Sequence, residues 1–214
     1  MCKPILLMLT AALLLAGCPA GQNGNTGAPA ASNPASAAAS SPFHGADLRQ
    51  EPIGGDFTLT AHSGRLASLS SFKGKVVALI FGYTHCPDVC PTHLLTHAQA
   101  IARLTPEQAG QVQVLFVSVD PERDTPELLA RYVPAFHPSF IGLTGSRENV
   151  QAVMKQYGAT AYAQPPNANG FYTVDHSSGT FLLNRQGRAA VLEPFGQSAE
   201  HLAQDIQTLL NQQP

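Results

Sequence analysis

The sequence has few charged residues and few cysteines, and it has no long apolar run. Charged residues make up 12% of its 214 residues, about half the usual share. The formal net charge is -2 and the pI is near 6.4. Such a chain lacks the basic surface that nucleic-acid binding requires, so we expect no nucleic-acid partner. Hydrophobic residues reach 44%, which is enough for the core of one ordinary domain.

The N-terminal region predicts an export signal followed by a tether. Lys3 precedes an apolar run over residues 5–15, which is too short for a permanent membrane helix. The run ends in LAGC, which resembles a bacterial lipobox with cleavage before Cys18 and a lipid on its sulfur. An uncharged Ala, Gly, Ser, Asn and Pro segment follows, as in flexible linkers. We expect a signal peptide over 1–17, a lipidated Cys18 with a tether over 18–50, and a folded domain over 51–214.

This leader also predicts a location. A lipidated cysteine followed by a tether would hold the folded domain off a membrane, and no later segment of the sequence predicts a transmembrane helix. We therefore expect a protein of the bacterial cell envelope that is lipid-anchored to a membrane, with its domain facing the periplasm or the exterior.

Two cysteines remain for the mature domain, Cys86 and Cys90, because Cys2 leaves with the signal and Cys18 carries the lipid. In an exported protein a lone pair is usually a disulfide. A bridge across so short a loop contributes only about 2 kcal/mol, and a domain of this size does not need it. A structural staple, a redox couple and a metal-binding pair all stay open at this point.

The hydrophobic pattern predicts alternating strands and helices. Continuous apolar runs over 75–82 and 112–119 indicate strands buried on both faces. Helical spacing follows each run, and Ser146 and Ser198 are predicted N-caps of later helices. Three further strands are predicted over 171–175, 179–183 and 188–192. Parallel strands need crossover helices and hairpin strands are antiparallel, so we expect an α/β fold: a thioredoxin-like mixed sheet flanked by helices, with an N-terminal extension.

The cysteine pair lies in FGYTHCPDVCPTHL, residues 81–94, where the first buried strand ends and its helix begins. In open α/β sheets, chemistry is placed at this edge. Pro91 is favoured at the first helical position, which predicts Cys90 at or near the N-cap and Cys86 in the preceding loop. The positive end of the helix should lower the pKa of the thiols and favour reactive or metal-binding sulfur.

A third ligand would favour a metal site, because two thiolates satisfy a linear Cu(I) but leave Zn(II) or Cu(II) under-coordinated. His93 and His97 follow the pair on one helical face, where they either reach a metal or line the helix surface. His176 ends a predicted strand and precedes a polar reversal of the chain, a common place for function. Asp175 lies beside it and could orient it. Spacing alone does not show that His176 meets Cys86.

Four stretches resemble the Sco/SenC family of copper-handling proteins associated with cytochrome c oxidase assembly. They are FGYTHCPDVCPTHL, FVSVDPERDTPELLARYVPAF, FIGLTGS and YTVDHSSGTFLLNRQGR, in that order. The resemblance implies a thioredoxin-like fold that binds one copper, as Cu(I) or Cu(II). The copper ligands that it implies are Cys86, Cys90 and His176. Candidate residues around these ligands are Asp175, Asp88 and Asp120.

The resemblance implies a membrane-tethered metallochaperone that delivers copper to the binuclear copper site of the oxidase's copper-bearing subunit. Delivery would proceed by exchange of thiolate and imidazole ligands, and an upstream copper donor or thiol reductant would prepare the site. The alternative is a thiol-disulfide reductase that keeps the oxidase's copper-ligand cysteines reduced, with Cys86 and Cys90 as its redox pair. A peroxidase would need a cysteine activated by a nearby arginine, and residues 81–100 contain none.

Overall fold

The computed structural model describes residues 41–212 of the chain. The predicted signal peptide over 1–17, Cys18 and the predicted tether up to residue 40 lie outside these residues. Among the helices of the described part, none combines the length and the apolarity that crossing a membrane requires.

Within residues 41–212, ten strands form two sheets. Their bounds are β1 Ala46–Asp47, β2 Thr58–Ala61, β3 Leu66–Ser68, β4 Val76–Gly82, β5 Val112–Ser118, β6 Ile141–Thr144, β7 Ala161–Ala163, β8 Val174–His176, β9 Thr180–Leu183 and β10 Ala189–Glu193. Eight of them build a sheet in the order β1-β10-β9-β4-β5-β6-β2-β3, and β7 pairs with β8 in a second sheet. The pairs β4–β5 and β5–β6 are parallel, and the other pairs are antiparallel.

The part of the chain that the structure describes has five α-helices, which connect or follow the strands: α1 Val89–Ile101, α2 Pro106–Gly110, α3 Pro126–Tyr132, α4 Arg147–Gln156 and α5 Ala199–Asn211. The predicted N-caps of α4 and α5 are confirmed, because the hydroxyls of Ser146 and Ser198 accept hydrogen bonds from backbone N–H groups in the first helical turn. Such bonds satisfy amides that otherwise lack a partner at a helix start. Thr125 caps α3 in the same way.

The core lies on both faces of the main sheet. All seven residues of β4 and of β5 are buried, as their continuous apolar runs predict. On one face they pack against apolar side chains of α1, α3 and α5. On the other face they pack against α4 and the N-terminal extension. The predicted mixed sheet flanked by helices is therefore confirmed.

Folded residues begin ahead of the predicted domain boundary at residue 51. The strand β1 pairs with β10, and Phe43 and Leu48 on either side of it are each only 8% exposed. The backbone N–H groups of His44 and Gly45 donate to the buried carboxylate of Asp205. A two-residue strand has no period that a sequence pattern can show, so the composition of this segment predicts a tether where the fold uses it as an edge strand.

Candidate metal centre

The cysteine loop follows β4 at the edge of the sheet where the parallel strands β4 and β5 both end. A Cβ atom added at Gly82, the last residue of β4, would lie 2.9 Å from the sulfur of Cys90 and 2.5 Å from the ring of Phe116. Both distances are shorter than van der Waals contact allows. Only glycine therefore lets the helix that carries Cys90 approach the strand this closely.

Helix α1 begins at Val89, with Asp88 at the N-cap position. Cys90 therefore lies in the first turn, two residues after the N-cap, which agrees with its prediction at or near the N-cap. Its backbone N–H donates to the Sγ atom of Cys86 at 3.4 Å. The helix N-terminus thus directs an amide at the sulfur of Cys86.

The two sulfurs have different environments. Cys86 is partly exposed, whereas Cys90 is only 2% exposed. Burial raises the pKa of the Cys90 thiol, and the neighbouring charge of Cys86 raises it further. The predicted lowering of thiol pKa by the helix terminus is therefore wrong for Cys90, because desolvation outweighs the field of the helix. A metal ion that binds Cys90 must displace a firmly held proton.

His176 ends β8 and turns its ring toward the cysteines. Its Nε2 atom lies 3.5 Å from the Sγ atom of Cys90. Its Nδ1 atom lies 3.0 Å from the backbone oxygen of Ser177. Because a carbonyl oxygen only accepts, Nδ1 carries the proton and Nε2 presents a lone pair on the side of the sulfurs.

Cys86, Cys90 and His176 thus place two sulfurs and one nitrogen within 4.8 Å of one another. Cys86 and His176 border a cleft of about 420 Å³ that Pro87 and Phe195 also line. Soft thiolates with one imidazole form a donor set that suits copper. The fold brings together residues that are 86 positions apart in sequence, which spacing alone could not predict.

Asp124 fixes the start of the cysteine loop by hydrogen bonds, a role that the sequence did not reveal. It is 0% exposed. Its carboxylate accepts hydrogen bonds from the backbone N–H of Thr84 at 3.0 Å, from the Thr84 hydroxyl at 2.6 Å and from the Ser118 hydroxyl at 2.7 Å. Its neighbour Thr125 caps α3, whereas Asp124 fixes Thr84, the residue two positions before Cys86.

The three acidic residues predicted around the ligands lie in three different settings. Asp120 accepts a hydrogen bond from the Tyr172 hydroxyl at 2.9 Å and pairs with Arg123, so it contacts the segment that leads to His176. Asp175 is exposed and accepts from the side-chain amide of Gln164 at 2.5 Å. Asp88 is exposed, lines the cleft and makes no side-chain capping bond.

His93 and His97 are buried, at 6% and 2% exposure. Both rings contact the hydroxyl of Thr180 on β9, with Nε2–Oγ1 distances of 2.9 and 3.0 Å. Burial lowers the pKa of His93 to about 3 and that of His97 to about 4. These histidines are neutral parts of the core, so the suggestion that they line the helix surface is wrong.

An arginine does reach the site from a distant part of the chain. The guanidinium carbon of Arg123 lies 5.7 Å from the ring centroid of Tyr83, in the cysteine motif. The ring of Tyr83 in turn meets that of His176 edge to face, with centroids 5.8 Å apart. The charge of Arg123 is paired with Asp120. This arginine thus contacts Tyr83 and Asp120 rather than a cysteine sulfur, and it offers no support for a peroxidase.

Comparison with known proteins reveals a match over most of the chain. Residues 45–211 match the model of the SCO1/SenC family. The curated relatives include the protein SCO2 homolog of Bos taurus, which is 42% identical over 161 residues that cover 74% of this chain. The chain spans 60% of the length of that relative.

Solved structures agree with this match. The ScoI protein of Bradyrhizobium japonicum, solved with copper bound, is 37% identical with a TM-score of 0.68, and the match covers 74% of this chain and 99% of that one. The apo Sco1 protein of Thermus thermophilus is 43% identical with a TM-score of 0.71, over 78% of this chain and 97% of that one. The thioredoxin-like fold predicted for this domain is confirmed.

The comparisons correct the predicted location. The relatives from Bos taurus, Homo sapiens and Saccharomyces cerevisiae are mitochondrial proteins, and a SCO2-like protein of the bacterium Rickettsia felis also matches. These mitochondrial relatives contradict the prediction of a lipid-anchored protein of the bacterial cell envelope. That prediction relied on a four-residue pattern at the end of an apolar run.

Proposed function

The chain belongs to the SCO1/SenC family, and from this membership and the geometry of the cluster we propose that it is a copper-binding metallochaperone. It delivers copper to the binuclear copper site in the copper-bearing subunit of cytochrome c oxidase. The observation that carries the proposal is the convergence of Cys86, Cys90 and His176 within 4.8 Å. The copper-bound structures of related proteins from Bradyrhizobium japonicum and Arabidopsis thaliana support it.

The three residues act as ligands of one copper ion per domain. Two thiolates satisfy the preference of Cu(I) for soft ligands, and the Nε2 atom of His176 lets the same site hold Cu(II). Both thiols lose their protons when the ion binds, so binding strengthens as pH rises. A disulfide between Cys86 and Cys90 would remove two of the three ligands, so the pair must be reduced before copper is loaded.

The order of copper release follows from how each ligand is held. His176 lies on a three-residue strand outside the main sheet, Cys86 lies at the cleft surface, and Cys90 is 2% exposed. An incoming thiolate of the target takes the place of the His176 imidazole first and another displaces Cys86 next, and the released Cys86 thiolate takes up a proton. Cys90 releases the ion last, because it is the least accessible of the three. The copper never leaves coordination during such an exchange.

A thiol-disulfide reductase remains the second candidate, and one observation favours it. Cys86 is accessible and accepts an N–H bond from the helix start, while Cys90 is buried behind it. In this reaction the Cys86 thiolate attacks a disulfide of the target and forms a mixed disulfide. Cys90 then attacks Cys86, the target leaves as a dithiol, and an upstream thiol reductant regenerates the pair.

A transfer experiment tests the proposed function. The Cu(I)-loaded chain is mixed with the metal-free, reduced copper domain of the oxidase subunit, and the copper content of each protein is measured after separation. Wild type and the exposed-surface control His201→Ala should transfer copper, and Cys90→Ser should not. If the wild type carries no copper but reduces an oxidised copper domain, the reductase becomes the function and the chaperone proposal is abandoned.

A further inference from the structure

The residue that provides the proposed nitrogen ligand lies outside the main sheet. His176 is the last residue of β8, which pairs with β7 over three residue pairs. The cysteines, by contrast, follow a central strand. Contacts outside the main sheet must therefore fix the position of β8 relative to the cysteine loop, because otherwise the three ligand atoms would not stay together.

Arg123, in the connection between β5 and α3, makes several contacts with the segment that leads into β8. Its Nη1 atom donates to the backbone oxygen of Tyr172 at 2.9 Å. Its guanidinium carbon lies 3.5 Å from the centroid of the Tyr172 ring, a distance at which cation and ring attract each other. Its Nε atom pairs with Asp120, and the Tyr172 hydroxyl donates to the other oxygen of Asp120 at 2.9 Å.

These contacts form a closed network. Arg123 and Asp120 pair with each other, and each also contacts Tyr172. Arg123 holds the backbone oxygen and the ring of the tyrosine, and Asp120 holds its hydroxyl. One more bond links this segment to the cysteine motif, because the backbone N–H of Val174 donates to the hydroxyl of Tyr83 at 3.1 Å. The β5–α3 connection also carries Asp124, which holds Thr84 beside the cysteines. The β5–α3 connection thus contacts both the cysteine loop and the segment that leads to His176.

We propose that Arg123 is a positioning residue for His176: it holds Tyr172, and through Tyr172 it keeps the imidazole of His176 within reach of the two sulfurs. This inference rests on the proposed copper site. A planar guanidinium is the side chain that can stack on a ring and donate to two acceptors at once. A lysine keeps the charge but loses the stacking and the second bond.

The expected effect depends on the oxidation state of copper. Loosening His176 removes preorganisation from the nitrogen ligand and leaves the two thiolates in place. Perturbing a residue that orients a ligand typically lowers metal affinity about 10- to 100-fold. Cu(II) should lose more affinity than Cu(I), because two thiolates alone can still satisfy Cu(I).

A double-mutant cycle tests the inference on the full, reduced chain. The variants are Arg123→Lys, His176→Ala and the double variant, and the matched control is Arg147→Lys, whose exposed guanidinium pairs with Glu122. Cu(I) affinity is measured by competition with a colorimetric chelator, and Cu(II) binding by its thiolate charge-transfer absorption. We expect Arg123→Lys to weaken Cu(I) binding about tenfold and to weaken Cu(II) binding further. In the His176→Ala background it should have no additional effect.

The outcomes separate the inference from the proposal on which it rests. If His176→Ala binds copper as tightly as wild type, the three-ligand site fails. If His176→Ala is weakened but Arg123→Lys matches wild type, or if the loss from Arg123→Lys persists in full in the double variant, the positioning role alone fails. Tyr172→Phe is a milder second variant in case Arg123→Lys does not fold. It removes only the bond to Asp120 and should show the same dependence on His176.

Discussion

The cysteine half and the histidine half of the proposed copper site are held in different ways. Cys86 and Cys90 follow β4, a strand whose seven residues are all buried and which pairs on both sides. His176 ends β8, a three-residue strand in a separate two-stranded sheet. Segments with little burial and short pairing open at lower free energy than core strands. The histidine half should therefore be the part of the site that opens first.

This difference suits a protein that must both hold and release an ion. Two firmly placed sulfurs keep the copper bound while the imidazole leaves, and a target ligand can enter at the vacated position. The contacts of Arg123 with Asp120 and Tyr172 limit how often the imidazole of His176 leaves the copper.

Removal of a sulfur should weaken Cu(I) binding much more than removal of the imidazole. Cys90→Ser should lower Cu(I) affinity at least about 1,000-fold, which corresponds to about 4 kcal/mol, because a single thiolate cannot satisfy Cu(I). His176→Ala should lower it on the order of 10- to 100-fold. Chelator competition on the two variants measures both losses. Equal losses would show that the two halves do not differ as proposed.

Removal of the carboxylate beneath the cysteine loop should destabilise the whole domain. Asp124→Ala leaves three hydrogen-bond donors of Thr84 and Ser118 without their acceptor, which should lower the free energy of unfolding by about 3 kcal/mol. Asp175→Ala, next to His176 but exposed, should change it by less than about 0.5 kcal/mol. Urea denaturation measures both. A comparable loss in Asp175→Ala would mean that the histidine half is as deeply integrated as the cysteine half.

The helix that carries Cys90 also depends on a buried hydroxyl. The Nδ1 atom of His97 donates to the backbone oxygen of His93, so its Nε2 accepts from Thr180 and the Nε2 of His93 donates to the same hydroxyl. Thr180→Val leaves both imidazoles without this partner and should lower the free energy of unfolding by about 2 kcal/mol. Thr58→Val, at an exposed hydroxyl, is the matched control. Equal effects in urea denaturation would contradict the assigned bonds.

A buried carboxyl behind the cysteine half should make stability depend on pH. Burial and the nearby Asp205 raise the pKa of Glu193 to about 8. Between the unfolded value near 4.5 and about 8, the folded state therefore binds more protons than the unfolded state, and stability falls as pH rises. Glu193→Gln should flatten this dependence of stability on pH. At pH 8 its free energy of unfolding should exceed that of wild type by at least about 1 kcal/mol.

The control for this prediction is Glu200→Gln, which changes an exposed carboxyl on α5. Urea denaturation at pH 5, 6.5 and 8 compares the three proteins. Glu200→Gln should follow the wild-type profile, and a Glu193→Gln profile parallel to wild type would contradict the shifted pKa. Hydrogen exchange of the β8 amides should be unchanged in both variants, because neither residue contacts the histidine half.

The position of the cysteine half could be predicted from the sequence, but much less of the histidine half could, and the reason is physical. Apolar runs, serine caps and Pro91 are local signals, and they located β4, β5 and the loop that carries Cys86. Proximity of His176 to Cys90 depends on contacts across 86 positions. The Sco/SenC resemblance implied it, and the pattern of residues did not.

The contacts that position the ligands also join residues far apart in sequence, so the sequence pattern could not predict them either. Thr84 and Asp124 are 40 positions apart, and Arg123 and Tyr172 are 49 apart. No periodicity links such pairs, so the motif DPERD was visible in the sequence while its role was not. The burial of Cys90 was missed for a related reason, because it depends on Gly82 and Phe116 from two strands that pack against the helix.

The most direct test of the central claim is X-ray absorption spectroscopy of the full chain loaded with one equivalent of Cu(I). We expect two sulfur ligands and one imidazole nitrogen in wild type, and two sulfurs without the imidazole in His176→Ala. A wild-type spectrum that contains only sulfur, or one that His176→Ala does not change, would contradict the proposed site.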